Sequence, residues 1–224
     1  MTDVDLEMFV DPVCPYCWVT SRWVVEVATQ RGLQVRWRPI SLWLLNREGA
    51  DPTSSLSRLH RDGHARLRVM VAVEQALGPE PIGALYTALG EAIWEADAPA
   101  ADGFRAVTED IVASRDLVTP LAAAGLPVSF ADAAEDAAYD GDISTSTDEA
   151  LARVGGGAGT PVLSFGPPDG PAFFGPVLAR VPEGDQALAV WDAVTTLAST
   201  ASFAELKRSQ RELPQVPRLA RVGS

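Results

Sequence analysis

The chain holds two cysteines, and they stand three positions apart in Asp11-Pro12-Val13-Cys14-Pro15-Tyr16-Cys17-Trp18. In a reducing compartment such a pair serves redox catalysis or metal ligation more readily than a structural bridge. Val4, Leu6, Met8 and Val10 alternate with Asp5, Glu7 and Phe9, a period-two strand over residues 4–10 that Asp11-Pro12 ends. From Pro15 the spacing is helical and meets no breaker until Gly32. Cys14 is thus expected at or next to the N-cap, where unpaired N–H groups and the positive end of the helix dipole favour a thiolate. A dipole contribution of up to about 2 kcal/mol lowers a thiol pKa by up to ~1.5 from about 8.5 and raises the thiolate fraction at pH 7 from roughly 3% toward half. Cys14 is therefore the expected nucleophile. Pro15 suits the first helical position, where its missing N–H costs nothing. Cys17 shares a helix face with Cys14 through i,i+3 spacing and is the expected resolving thiol. A mixed disulfide on Cys14 would be attacked by Cys17, releasing reduced substrate and leaving a 14–17 disulfide.

The uncharged Pro15-Tyr16 lacks the histidine that would make a strong oxidant. Glutaredoxin-like couples near −200 to −230 mV and thioredoxin near −270 mV lie close to a cytosolic poise of about −220 to −260 mV, so a reductase or reversible exchanger is expected. A second constellation, Gly157-Ala158-Gly159-Thr160-Pro161, stands directly before an apolar strand. In a redox fold of this element order a proline at the head of that strand is commonly cis and packs over the cysteines, and the residue before it offers its backbone to an extended substrate. Thr160 and Pro161 fit those positions. No Lys follows the glycines, so the run is not a phosphate loop.

A rival chemistry uses His60 and His64, which with Cys14 and Cys17 have the stoichiometry of a Cys₂His₂ zinc site. The long interval from Cys17 to His60 and a core large enough to do without zinc weigh against it, so no metal is assigned. The two histidines fit a solvated helix face better, or else a lid over the cysteines. The six tryptophans are mostly expected in the core; Trp18 is the exception, placed at the mouth of the site beside Cys17. Of Phe173 and Phe174, which alternate across a strand, one is expected in the core and the other toward the site.

The elements that must hold this site read as βαβ, a helical block, then α, ββ, α. Leu33–Ser41 forms a second strand, parallel to the first because a crossover helix joins them. Helices follow at about 55–77, 82–96, 103–114, 117–124 and 129–138. Asp140-Gly141-Asp142 opens a further helical segment to 154, Pro161–Phe165 and Ala172–Val177 form a hairpin, and Pro182–Ala198 closes the fold. Phe203–Arg211 reads as a short extra helix and Pro214–Ser224 as a solvated tail. The expected organisation is an α/β domain in two parts, 1–51 and 141–212, with a helical insert at 52–140 and a tail at 213–224.

Composition narrows the partners. With 47% hydrophobic and 21% charged residues the chain has an ordinary globular mix, which excludes disordered, collagenous and disulfide-scaffold classes. Its 30 acidic against 18 basic residues give a net charge of −12, which opposes binding to nucleic acid or anionic lipid. An acidic Met1–Asp5 and the lack of an apolar run of ~18 residues point to a cytoplasmic protein with no membrane partner. Monomer and homodimer are both open.

The strand–Cys14-Pro15-Tyr16-Cys17–helix unit, the helical insert and Thr160-Pro161 before a hairpin together resemble the thioredoxin superfamily in its DsbA-like branch. Closer in, Asp11-Pro12-x-Cys14-Pro15-x-Cys17-Trp18-x-Thr20-Ser21-Arg22-Trp23, Ser41-Leu42-x-Leu44-Leu45-Asn46, Leu85-Tyr86-Thr87-Ala88-Leu89-Gly90, Ala124-Gly125-Leu126-Pro127, Phe173-Phe174-Gly175-Pro176-Val177-Leu178 and Glu205-Leu206-Lys207-Arg208 resemble the actinobacterial mycothiol-dependent nitroreductases. The resemblance implies an oxidoreductase with no bound cofactor. It would take electrons from mycothiol, a low-molecular-weight thiol, and pass them to disulfides or small nitro compounds through Cys14 and Cys17, with Pro161 carried over. Pro15, Tyr16, Trp18 and Thr160 would border the bound thiol or substrate. Two positions depart from the pattern: Tyr16 stands where Trp is expected, and Met8 stands where many relatives place an acid that relays the resolving proton. Glu7 should face the other side of the sheet, which leaves that proton to water or the reducing thiol. Kappa-type glutathione transferases share the fold but carry Ser at the position of Cys14; a DsbA-like protein of a polyketide pathway keeps both cysteines and is the nearer alternative.

Overall fold

The protein was analysed as a computed structural model that describes residues 4–155, 157–208 and 212–222. A four-stranded sheet forms its centre in the order β2-β1-β3-β4. Strand β1 (Leu6–Val10) passes through helix α1 (Pro15–Arg31) into β2 (Val35–Pro39), and the two strands are parallel with Met8 opposite Trp37. Strand β3 (Val162–Phe165) runs antiparallel to β1, and β4 (Ala172–Phe174) antiparallel to β3. β1 is central, so every one of its residues is buried, and alternation sorts them between two layers. Leu6, Met8 and Val10 join the large core under α1, while Phe9 packs with Ile40, Ala150 and Val162. Glu7, on the Phe9 side as expected, lies within 2.7 Å of Arg153 and 3.5 Å of Arg38. Those guanidinium groups lie over the Phe9 ring, so the buried carboxylate is paired.

Between β2 and the helix that covers the Phe9 face, α7 (Asp140–Val154), the chain is helical: α2 (Leu42–Asn46), α3 (Ser55–Leu77), α4 (Ile82–Trp94), α5 (Phe104–Ala113) and α6 (Val118–Ala123). Ser54 caps α3 by accepting the Ser57 N–H, and Gly78 with a positive φ ends it. Helix α8 (Gly184–Ser199) lies on α1, where the Trp23 indole N–H donates to the Ala187 carbonyl at 3.0 Å.

Several local readings change: β2 is shorter than 33–41 at both ends, and residues 175–177 carry no strand. The first strand starts at Leu6 rather than residue 4. The 129–138 segment is two 3₁₀ pieces, Val128–Glu135 and Ala137–Tyr139, because Asp136 adopts an extended backbone and its carboxylate takes the Ala138 N–H. Residues 203–208 carry no helix, and 209–211 lie outside the described residues. The tail is not solvated at Val216, Arg218 and Leu219: the two apolar side chains reach the main core, and the Arg218 guanidinium donates to the Asp97 carbonyl and pairs with Asp110. Among the described residues no helix is long and apolar enough to cross a membrane.

Candidate active site

Cys14 is the N-cap residue of α1, with an extended backbone, and its sulfur accepts the Cys17 N–H at 3.3 Å. Pro15 opens the helix, and the Cys14 N–H is held by the Asp11 carbonyl at 3.0 Å. Both thiols are free, Cys14 slightly exposed and Cys17 fully buried. Cys14 is acidified first by a hydrogen bond from the Cys17 thiol and further by the Thr160 hydroxyl and the Cys17 N–H, against the opposing effect of burial. Burial drives Cys17 the other way, well above an ordinary thiol, and its hydrogen bond to Cys14 adds to the rise. Two chemically equal side chains are thereby split into an acidic, slightly exposed sulfur and a fully buried, protonated one.

Thr160 and Pro161 come to this pair from the other half of the chain, joined by a cis peptide bond. The buried Thr160 hydroxyl has no well-directed partner, yet it lies close enough to both sulfurs to favour their thiolates. Phe174 reaches back to this loop: its ring would be 3.5 Å from a Cβ at Gly159. Phe173 packs on Phe203 and is only partly buried, so neither phenylalanine lies in the core. The Tyr16 hydroxyl donates to the Glu212 carbonyl at 3.0 Å, which ties the C-terminal segment to the rim of the cysteine pair.

Trp18 is not at the mouth. Its ring is 2% exposed, its indole N–H donates to Glu95 at 2.7 Å, and the Arg22 guanidinium covers it at 4.2 Å. Gly90 of α4 permits this close packing, since a Cβ there would sit 2.2 Å from the ring. Trp18 packs in the core between α1 and α4, against Tyr86, instead of offering a surface to substrate. Gly90→Ala is expected to cost about 1–3 kcal/mol through overpacking, read as a lower urea midpoint with an unchanged slope; an unchanged midpoint would mean that the ring moves aside freely.

Asp11 was not singled out by its sequence context. It is completely buried, with one carboxylate oxygen accepting the Val13 N–H at 3.0 Å and the other the Leu42 N–H at 2.8 Å. These bonds clamp the loop before Cys14 to the start of α2. Burial raises the Asp11 pKa to about 7 despite them, and its negative charge opposes the Cys14 thiolate. Helix α3 closes over this loop at Gly63, where a Cβ would meet Asp11 Oδ1 at 2.6 Å and Val13 at 2.5 Å. The Trp94 indole N–H holds the Pro12 carbonyl at 2.9 Å.

His60 and His64 are both buried, which overturns the solvated-face reading. His64 bridges Ser41 Oγ at 2.9 Å and Asp140 Oδ1 at 3.0 Å, so both ring nitrogens are engaged away from the cysteines. This Ser–His–Asp chain is not a nucleophile site, since Ser41 is fully buried and its oxygen caps α2 at the Leu44 N–H. It ties the end of β2, α3 and the start of α7 together. Among the described residues no group of three or more His, Cys, Asp or Glu is placed to hold a metal.

The surroundings of this site have relatives. A solved structure described as the cytosolic disulfide reductase DsbM from Pseudomonas aeruginosa with GSH superposes with a TM-score of 0.51 at 16% identity, covering 85% of this chain and 98% of that one. A thioredoxin-like oxidoreductase from Silicibacter pomeroyi DSS-3 gives 0.42 at 20% identity over 89% and 90%. The fold is thioredoxin-like, of the DsbA type with its added helices. In sequence, the uncharacterized protein Rv2286c of Mycobacterium tuberculosis is 29% identical over 209 residues, which are 93% of this chain and 82% of that protein. The profile of the Rv2466c-like family, described as mycothiol-dependent nitroreductase Rv2466c, matches residues 13–208. The chain therefore belongs to the Rv2466c-like family of mycothiol-dependent nitroreductases and is an oxidoreductase.

Proposed function

We propose that this chain is a cytoplasmic thiol–disulfide oxidoreductase reduced by mycothiol, with Cys14 as attacking and Cys17 as resolving thiol, acting on disulfides or nitro compounds. The observation that carries the reading is the asymmetry at the head of α1: Cys14 caps the helix and is acidified, while Cys17 is buried and kept protonated. The Cys14 thiolate attacks a disulfide and expels one thiolate, which takes a proton. Cys17 then gives up its proton, attacks Cys14 Sγ and releases the second thiol, so that two electrons pass from the dithiol to the substrate. Two mycothiol molecules restore the dithiol and leave as their disulfide. A nitro group would take the same two electrons with two protons, giving a nitroso group and water. Pro15, Tyr16, Thr160 and Pro161 border the sulfurs, and the Thr160 backbone would receive the substrate or thiol.

Stopped-flow mixing of the 14–17 disulfide form with mycothiol, glutathione or a thioredoxin tests the donor. Tryptophan fluorescence should change fastest with mycothiol, linearly in its concentration. Rapid reduction by a thioredoxin with inert mycothiol would overturn the donor assignment. Peptide mapping after limited alkylation near pH 7 tests the roles, since Cys14 should be modified well before Cys17; the reverse order would exchange them.

A further inference from the structure

Helix α3 has two working faces. Gly63 sits on the loop before Cys14, whereas Arg58, Arg61, Asp62, Ala65 and Arg68 follow i, i+3, i+4, i+7, i+10 spacing along a different side. That side lines a cleft of about 510 Å³, and Arg115, just beyond α5, faces it from across the opening. Four guanidinium groups thus converge on one concavity in a chain of net charge −12. The volume is that of a small-molecule site.

Two of the ion pairs at this cleft are exchangeable, although Arg115 also lies 3.6 Å from the buried Asp62. Arg58 meets Glu109 at 3.3 Å and Arg115 meets Glu135 at 2.5 Å, and those carboxylates are 42% and 73% exposed. Exposed pairs of this kind contribute about 0–1 kcal/mol, so an entering anion with several charges would displace them at little cost. Arg61 has no carboxylate partner among the described residues; it donates to the Pro52 carbonyl and lies over the Trp43 ring at 5.3 Å. Stacking presents its planar fork in a fixed direction, the arrangement suited to bidentate binding of phosphate or carboxylate. Arg68, held to Asp140 by two hydrogen bonds, adds positive potential at the edge. The overall negative charge repels an extended polyanion such as a nucleic acid but leaves a compact one access to this local field.

We propose that the cleft lined by Arg58, Arg61, Arg68 and Arg115 with Trp43 is a binding site for a small, multiply charged anion bearing phosphate or carboxylate groups. Its residues are separate from the cysteine pair, so the assignment stands independently of the redox reading.

Isothermal titration calorimetry at low ionic strength tests it, with inorganic tripolyphosphate and citrate as separate probes. Saturable one-to-one binding of either is expected, and the probe that binds names the group. Arg58→Gln and Arg61→Gln should each weaken binding about tenfold, the scale of a lost charge-assisted bidentate contact. Arg180→Gln, which removes an exposed arginine paired with Glu212, should leave affinity unchanged. Glu135→Gln removes a built-in competitor for Arg115 and should tighten binding several-fold; this gain keeps the test decisive if an arginine variant fails to fold. Failure of both probes to bind with a Kd of about 1 mM or tighter would overturn the site. So would equal weakening by Arg180→Gln, or an affinity unmoved by Arg58→Gln, Arg61→Gln and Glu135→Gln together.

Discussion

Cys17→Ser is expected to complete the first half of the reaction and stop. With Cys14 acidic at the helix end, the variant should still attack one equivalent of disulfide substrate and then accumulate a mixed disulfide on Cys14, visible by intact mass. Cys14→Ser should lose turnover by at least about 10³-fold, the scale on which removal of a covalent nucleophile is felt. The structure adds a distinction between two variants that both abolish resolution. The leading cause of Cys14 acidity is the hydrogen bond from the Cys17 thiol. Serine retains an O–H donor at that position and alanine does not, so the Cys14 pKa should rise further in Cys17→Ala. The rate of iodoacetamide alkylation against pH measures it directly. Equal residual turnover in the Cys14→Ser and Cys17→Ser variants would contradict the two-step exchange, and identical alkylation profiles for Cys17→Ser and Cys17→Ala would remove the Cys17 side chain from the acidification.

The place of the cysteine pair was legible because it depends on local order. A strand stopped by Asp11-Pro12, a helix opened by Pro15 and a cysteine between them put Cys14 at the N-cap without any knowledge of tertiary contacts. Long α3 was read over its observed range, since 23 residues give periodicity many turns to accumulate and Gly78-Pro79 is an unambiguous stop. What stayed hidden depends on which surface each element meets. His60 and His64 at i,i+4 spacing look like a wet face until Ser41 and Asp140 are found on either side of His64. Val216 and Leu219 look like tail residues until α4 and α5 are seen to leave a place for them. Trp18 fits into the core only because Gly90, 72 positions away, lacks a Cβ. The arginine cleft joins α3 to a residue beyond α5, a juxtaposition that neither segment's spacing encodes.

Asp11 is the clearest case, because an Asp before Pro reads as a turn residue while the fold makes it the most deeply buried acid near the sulfurs. Its pKa of about 7, against 3.8 for an ordinary carboxyl, means that the folded protein retains a proton that the unfolded chain releases in between. The stability this contributes is fully present below the unfolded value and is lost as pH rises through about 7. Integrated over that interval, ionisation costs the folded state on the order of 4 kcal/mol at 1.36 kcal/mol per unit. Asp11→Asn does not titrate, but it offers one acceptor oxygen where Asp11 uses two, so either the Val13 or the Leu42 N–H loses its partner to an amide NH₂. Near pH 4 the variant should therefore be less stable than the parent by about 1–3 kcal/mol, the cost of an unpaired buried N–H, and it should gain on the parent by a few kcal/mol between pH 4 and pH 8. His60 and His64, whose pKa values burial lowers, destabilise the protein as pH falls below 6.5, but they do so in both proteins and cancel in the difference. The sulfur should respond in parallel. Removing the Asp11 charge relieves the repulsion that raises the Cys14 pKa, so the alkylation midpoint of Cys14 should move to lower pH in the variant. Urea titrations of both proteins across that range, paired with alkylation rates, read the two effects separately. A stability difference that stays constant from pH 4 to pH 8 would place the Asp11 titration elsewhere, and an unmoved Cys14 midpoint would show that its charge does not reach the thiolate.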